Sequence, residues 1–432
     1  MKTQHHKLTT VVIGLALSTL AFQATATNGY FAHGYGLKAK GMGGVATALA
    51  QDSFGGANNP ASMVWAGGRL DLGLDWFRPS REAARSGAGF ATLNGTVQSD
   101  HQNFYIPEFG YNRLIDPTLA VGVSVYGNGG LNTDYPAGNF NCGGGPANAL
   151  CGSGRLGVDL LQLVVAPTVS YKATAQHSMG ASLLLGYQRF KASGLQAFDN
   201  APGFPPFTGA PGRVTNNGYD SATGLGLRVG WQGHLAQDLS VGAAVSSKIN
   251  MSRFDKYRGL FAGQGDFDIP ANFSLGVAWA PGAWTVALDW VHIAYSKVAA
   301  VGNSSSAQAP LGANNGPGFG WRDVKVAKLG VAYSGFASVT LRAGWNHGSN
   351  PIRSQDITFN ILAPGVVQDH ATLGFTVDLG KASEITGAWM VAPRKSVGGS
   401  SLFNGVLGAG AGGNERISMK QQSLGLAWAQ KF

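Results

Sequence analysis

The side chains able to do chemistry in this chain are few, and their spacing suits binding better than catalysis. Arg228 alternates with Leu227 and Val229, and Arg342 with Leu341 and Ala343. On a strand, that alternation turns each guanidinium to the face opposite its apolar neighbours. On an enclosed face, either arginine offers a two-pronged donor to a carboxylate ligand. The competing and commoner use is an ion pair with Asp289, Asp378 or Glu384, which occupy the same kind of position. Residues 191–219 hold Leu195, Phe198, Phe204 and Phe207 beside Pro205 and Pro206. Exposed loops seldom carry so many aromatics unless they bind something or pack on themselves. After Tyr126 come Gly127, Asn128, Gly129 and Gly130, where a period-two pattern stops. Glycines at such a place mark a bulge or a close backbone approach, or simply the start of a loop. Pro107, and likewise Pro167, deletes a ladder hydrogen bond and can leave an opening beside its strand.

Hydrolytic and phosphoryl chemistry find no support. The nine histidines are scattered. There is no Gly-x-Ser-x-Gly elbow and no Gly-x-x-x-x-Gly-Lys-Ser/Thr phosphate loop. The chain is therefore read as not an enzyme and as needing no cofactor. Cys142 and Cys151 lie nine positions apart in a glycine-rich stretch without a nearby histidine. That spacing fits a loop disulfide rather than a metal site.

Composition says what must position these residues. Charged residues are 12% of the 432, about half the ~25% usual in soluble proteins, and glycine supplies 65 positions. Hydrophobic residues, at 44%, are ordinary. So few charges argue against a solvated globule, and a mean hydropathy near zero argues against a bundle of membrane helices. An outer-membrane β-barrel reconciles the two, because outward apolar residues alternate with small or polar inward ones. Residues 1–26 read as a secretory signal peptide. Lys2, His5, His6 and Lys7 precede an apolar run from Val11, and Ala24-Thr25-Ala26 forms the cleavage site. Losing Lys2 and Lys7 lowers the formal charge from +9 to +7. The remaining basic residues form no run, which speaks against nucleic acid. A mildly basic membrane protein suits outer-membrane lipid, lipopolysaccharide and acidic ligands better.

Alternation recurs downstream, as in Leu225, Leu227, Val229 and Trp231 against Gly226, Arg228 and Gly230. A soluble sandwich would place Lys and Glu on its polar face, whereas here that face carries Gly, Ala and Ser. Fourteen strands are expected, at 69–78, 102–114, 117–128, 159–173, 177–190, 220–234, 238–251, 268–280, 283–295, 322–334, 337–346, 367–379, 382–392 and 417–432. Short turns alternate with long loops at 79–101, 129–158, 191–219, 252–267, 296–321, 347–366 and 393–416. This is the pattern of a barrel with both termini in the periplasm. The last strand ends on Phe432, which resembles the signal read by the outer-membrane assembly machinery. Residues 27–68 show no alternation, and a short helix is expected over 45–50. An unplugged fourteen-stranded lumen would leak solutes, so 27–68 is expected to fold inside the barrel of 69–432 as a plug.

Several stretches resemble one family. Thr27-Asn28-Gly29-Tyr30-Phe31-Ala32-His33-Gly34-Tyr35-Gly36, Lys40-Gly41-Met42-Gly43-Gly44, Asp52 and Asn58-Asn59-Pro60-Ala61 are similar to the N-terminal hatch of the FadL family. Asn59-Pro60-Ala61 is the hatch's signature step. Leu156 to Leu160, Ile269 to Phe273, Leu288-Asp289-Trp290 and Asn360 to Gly365 also follow the family pattern, so the resemblance spans the mature chain. It implies an all-β membrane protein, a 14-stranded antiparallel barrel plugged by an N-terminal hatch. It also implies passive uptake of hydrophobic compounds by a monomer. External loops capture the ligand, with Phe198, Phe204 and Phe207 as candidates here. An internal site follows, for which Tyr30, Phe31, Tyr35, Arg228 and Arg342 are the candidates. Movement of the N-terminus opens a path, and the ligand leaves sideways at a kink in the third strand, for which Tyr126 to Gly130 and Pro107 are the candidates. The expected cargo is a long-chain fatty acid. The alternatives are a monoaromatic hydrocarbon, as carried by relatives in the same family, and then a general diffusion porin.

Overall fold

In a computed structural model, residues 28–89, 93–202 and 206–432 are described. The signal segment 1–26, Thr27 and Phe204 lie outside them. Fourteen long strands account for the barrel: β1 (Arg69–Ser86), β2 (Phe104–Asp116), β3 (Leu119–Tyr135), β4 (Leu156–Lys172), β5 (His177–Ser193), β6 (Asp220–Ala236) and β7 (Leu239–Ser246). The second half comprises β8 (Asn272–Trp279), β9 (Trp284–Ile293), β10 (Val324–Tyr333), β11 (Val339–Gly348), β12 (Asp369–Gly380), β13 (Ser383–Ser400) and β14 (Asn414–Lys431). Each strand pairs antiparallel with the next. The last pairs with the first from Arg69↔Lys431 to Ser86↔Asn414, which closes the sheet.

Side-chain size decides which way each strand faces. Leu72, Leu74, Leu225, Leu227, Leu288, Leu424 and Leu426 are exposed on the outer wall. Their sequence neighbours, such as Gly73, Gly226, Gly425 and Ala287, point inward. Trp279, Trp284, Trp428 and Phe336 ring the short-turn end, and Trp76, Trp290, Trp345 and Trp389 the other. Two aromatic girdles around an apolar band mark a membrane-spanning barrel.

The strand positions follow the sequence pattern, but their outer ends do not. β1, β13 and β14 each run 18 residues, well beyond the expected limits at 78, 392 and 417. β3 continues to Tyr135 instead of ending at 128. Above the membrane both faces of a strand meet protein or water, so the apolar alternation fades while backbone pairing continues. β7 stops at Ser246, where a bulge interrupts its ladder with β6, and the pairing resumes at Asn250↔Leu225 and Met251↔Gly224, within the expected limit of 251. Residues 45–50 form turns rather than a helix. The backbone N–H groups of Ala46 and Thr47, which a helix would direct along its axis, both donate to Asp289 Oδ2, at 2.8 and 3.0 Å. The α-helical turn of the segment, α1, lies earlier, at Leu37–Lys40.

Cys142 and Cys151 are joined as a disulfide in the loop after β3, with their Cα atoms 5.6 Å apart. The bond closes a small loop outside the ladder. Peptide mapping without reduction should recover the linked pair. Replacing both by serine should open loop 136–155 to protease while leaving the barrel's resistance to SDS intact. A barrel that unfolded in SDS would overturn the view that this bond staples only the loop.

Candidate functional site

The lumen is occupied by residues 28–68, and the strands make room for them by lacking side chains. Inward glycines meet the segment around most of the barrel. Gly180 lies against Pro60, Gly230 against Asn59, Gly276 against Thr47, Gly344 against Met42 and Gly43, Gly374 against Gly41, and Gly425 against Leu37. A Cβ at any of these positions would overlap the segment. The backbones therefore approach closely, which is one reason glycine appears within strands. Asn59 caps the 3-10 turn Pro60–Ser62 by accepting from Ala61 N. Its amide donates to Thr47 O at 2.7 Å and to Trp231 O of β6 at 3.0 Å.

Charge then fixes the segment. Lys38 pairs with Glu384 of β13 at 2.5 Å, and Arg69 bridges Asp71 and Glu384 at 2.6 Å each. Lys40 pairs with Asp75 of β1 at 3.0 Å and Glu108 of β2 at 3.3 Å. All these side chains are buried. Removing one member of such a group leaves a bare buried charge and costs about 3–5 kcal/mol. The inward acids Asp71 and Asp75 alternate with Leu70, Leu72 and Leu74, a pattern that signals a buried basic partner. Lys38 and Lys40 were the residues to look for.

The wall is incomplete beside this lock. β2 pairs with β1 up to Phe104, but its described pairing with β3 ends at Phe109↔Val125. Pro107 sits two residues past that point. β3 goes on alone on that side, and its ladder with β4 slips between Gly127 and Gly129, leaving Asn128 as the bulged residue. Pro167 breaks the β4–β5 ladder, which skips from Val165↔Leu185 to Thr168↔Ser182.

Into the gap beside β3 comes the start of the N-terminal segment. Ala32 N donates to Asn128 O, and Gly130 N donates to Tyr30 O, each at 3.2 Å. Tyr35 Oη donates to Asn128 Oδ1 at 3.0 Å, and the Tyr35 ring packs 4.6 Å from Tyr126. From across the lumen, the Tyr295 hydroxyl holds the tight turn Asn28 to Phe31. It donates to Asn28 O at 2.6 Å and accepts from Tyr30 N at 3.0 Å and Phe31 N at 3.1 Å. Sequence reasoning missed Tyr295, because nothing in Ala294-Tyr295-Ser296 distinguishes it from any loop tyrosine.

Cavities lie on both sides of this turn. At the outer surface, a groove of about 640 Å³ runs between loops and includes Pro206, Phe207, Leu311, Pro317 and Phe359. Beneath it, sharing Leu311, Pro317 and Phe359, is an apolar cavity of about 30 Å³ that also touches Phe198, Phe261 and Phe319. Phe198 and Phe207 are thus brought together, with ring centroids 5.1 Å apart. Deeper still, Tyr30, Tyr295, Trp321 and Phe267 form one aromatic cluster. Below it is a polar cavity of about 50 Å³ bordered by Phe31, Tyr35, Arg228, Asp289 and Lys328.

Neither arginine makes the carboxylate pair that the sequence favours. Arg228 Nη1 donates to the backbone oxygens of Gly56, at 3.0 Å, and Ala57, and no carboxylate lies within 4 Å among the described residues. Asp289 is engaged instead by Ala46, Thr47 and the Thr47 hydroxyl. Arg342 donates to Thr376 Oγ1 at 2.7 Å near the periplasmic end of β11, away from Phe31 and Arg228. His33 is buried, with Nε2 3.3 Å from Lys40 O. Burial, aided by His370 and Lys40, holds its pKa well below the usual value, so the ring is neutral.

A fourteen-stranded, lipid-facing barrel whose lumen is packed and whose wall is interrupted defines a class of protein: a membrane channel for cargo that does not travel through water. The chain belongs to the outer membrane protein transport protein family (OMPP1/FadL/TodX), whose model matches residues 19–398. It is an outer-membrane transporter of hydrophobic compounds. The family comprises transporters and channels, not enzymes, and its β-barrel homologues are outer-membrane proteins of Gram-negative bacteria. No match to a curated protein was found. Among solved structures, the Pseudomonas putida toluene transporter TodX is 20% identical, with a TM-score of 0.67 over 93% of this chain and 99% of its own. A Pseudomonas aeruginosa FadL homologue is 16% identical, with a TM-score of 0.68 over 94% and 100%. The Ralstonia pickettii toluene transporter TbuX is 19% identical, with a TM-score of 0.62 over 93% and 99%. At these identities the likeness establishes the fold.

Two measurements test this lock. Tyr295→Phe keeps the ring but deletes three hydrogen bonds, including the one the Tyr30 N–H makes to the phenol. It should raise the frequency of conducting openings in planar bilayers about tenfold, equivalent to roughly 1.4 kcal/mol. Unchanged openings would mean that Tyr295 does not restrain the segment. The second concerns Asp52, which burial and then Asp71 push up to about 7. A folded-state pKa above the ~3.9 of an unfolded Asp means that docking favours the protonated form. That contribution is complete below about pH 4 and is lost as pH rises through about 7. Openings should therefore increase between about pH 6 and pH 8 and lose this dependence in Asp52→Asn.

Proposed function

We propose that the chain takes up long-chain fatty acids across the outer membrane, with residues 27–68 acting as a hatch. The observation that carries the cargo is Arg228, a cation with no carboxylate within 4 Å among the described residues, at the foot of an apolar, aromatic-lined route. A fatty acid matches both halves. Its tail suits Phe198, Phe207 and the Tyr30 cluster, and its carboxylate suits Arg228, with Lys328 on the same polar cavity. Arg342 is too near the periplasmic end to share this headgroup site and is assigned a structural role.

In this reading, the external groove captures ligand and passes it to the cavity below. Ligand pressing on Tyr30 and Phe31 displaces the turn that Tyr295 and β3 hold between them. The gap between β2 and β3 then opens, beside the bulge at Asn128, and cargo leaves sideways into the membrane. Lateral exit suits a hydrophobic solute, since it never has to enter water. A single barrel contains the whole route, so the protein acts as a monomer. A diffusion porin is disfavoured because residues 28–68 fill the space a watery channel would need. One observation favours a second reading, a monoaromatic hydrocarbon. The route is lined largely by aromatic rings, and two proteins of similar fold are toluene transporters.

Uptake of labelled oleate and labelled toluene by cells with an intact outer membrane separates these readings. Oleate should enter only when the protein is present, and excess fatty acid should block it. Arg228→Gln should lower oleate uptake roughly tenfold, the scale of one charge-assisted contact, and leave toluene entry unaffected. Entry of toluene alone would establish the hydrocarbon reading. Entry of a small sugar alone would mean that the lumen is an open pore.

A further inference from the structure

The outer wall of β13, β14 and β1 changes character just above the apolar belt. Leu72, Leu74 and Trp76 face outward along β1, and the next outward residue is Arg78. Along β14 the outward series from the periplasmic end is Trp428, Leu426, Leu424, Gln422, Lys420, Ser418 and Arg416. Register places Gln422 opposite Arg78, Lys420 opposite Ser80, and Arg416 opposite Ala84. Arg78 and Lys420 are therefore diagonal neighbours on one face, the next-nearest cross-strand distance. At the bulge of β13, Arg394 donates to Ser418 Oγ at 2.6 Å, which brings it onto the same surface.

These four cations are poorly neutralised. Arg394 and Arg416 share one carboxylate, Glu82, at 3.8 and 3.9 Å. Those distances are long for charge-assisted bonds, so neither guanidinium is saturated. Their side chains remain 42% and 62% exposed. Lys420 and Arg78 are exposed as well. A net positive surface placed directly above an apolar belt needs a ligand with acyl chains below and negative charge above. At the loop end of an outer-membrane barrel, the lipid of that description is lipopolysaccharide, whose diphosphorylated headgroup sits at the top of its acyl chains.

We propose that Arg78, Arg394, Arg416 and Lys420 form a binding site for the phosphates of lipopolysaccharide on the outer wall of β13, β14 and β1. Trp76, Leu424 and Leu426 contact its acyl chains, while Arg78 and Lys420 hold the nearer phosphate. The site lies on the opposite side of the wall from the lumen and does not depend on which cargo the lumen carries. It does depend on the protein's residence in the outer membrane.

The test is native mass spectrometry of the detergent-purified full chain with added diphosphorylated lipid A, monophosphorylated lipid A or phosphatidylglycerol. The wild type should retain diphosphorylated lipid A best. The variant R78Q/R394Q/R416Q/K420Q should bind it at least roughly tenfold more weakly, given the contribution of each basic residue near an anionic lipid surface. Its cargo uptake should persist, which separates loss of this site from failure of the transport reading. Arg155→Gln removes an external cation that is paired with Asp100 and Asp134, and it should change nothing. If the quadruple variant does not assemble, R416Q and K420Q, on exposed outward positions, are measured singly and should each weaken retention. Equal retention by wild type and variants would overturn the site, as would preference for phosphatidylglycerol over diphosphorylated lipid A.

Discussion

A chain of forty residues can be seated inside this barrel only because the wall around it is bare. Wherever the segment crosses a strand, the inward residue is commonly glycine, and a single added carbon at Gly230, Gly344 or Gly374 would collide with it. The high glycine content is therefore a steric requirement more than a source of flexibility. Close approach in turn brings Lys38 and Lys40 within reach of carboxylates on the wall and shields those pairs from water. It also carries Tyr30 to Ala32 far enough to pair with β3.

The lumen consequently has two environments. Its outer half is an aromatic core in which few polar groups need partners, and the tyrosine hydroxyls that do enter are used to grip backbone. Its inner half is ionic, with pairs that cannot be broken singly at low cost. Between them lies the turn from Asn28 to Ala32, attached to the wall by main-chain hydrogen bonds and to the loops by one phenol. That junction lies beside a stretch where β3 continues past its last pairing with β2.

Much of this was legible in the sequence. Period two, together with the alternation of short turns and long loops, located all fourteen strands, because lipid imposes a strict apolar requirement on every second residue. The outer strand ends were not legible, since lipid no longer sorts the side chains there. A helix over 45–50 was a misreading of local propensity: the Thr47 and Ala48 carbonyls, which a helix would use as acceptors, accept instead from the Asn59 and Gln232 amides. The site was legible in part. Arg228 was identified from its inward position, and the break near Asn128 from its glycines. The partners of Arg228 were not, because backbone carbonyls of a distant segment leave no mark in sequence. Tyr295 was invisible for the same reason, as its three bonds go to main-chain atoms.

The pairing of Lys38 with Glu384 also orders events in time. The two residues are 346 positions apart, and Glu384 lies on the penultimate strand. This ion pair can therefore form only once the penultimate strand is in place, whereas Asn59, Thr47 and Lys40 find their partners on strands made earlier.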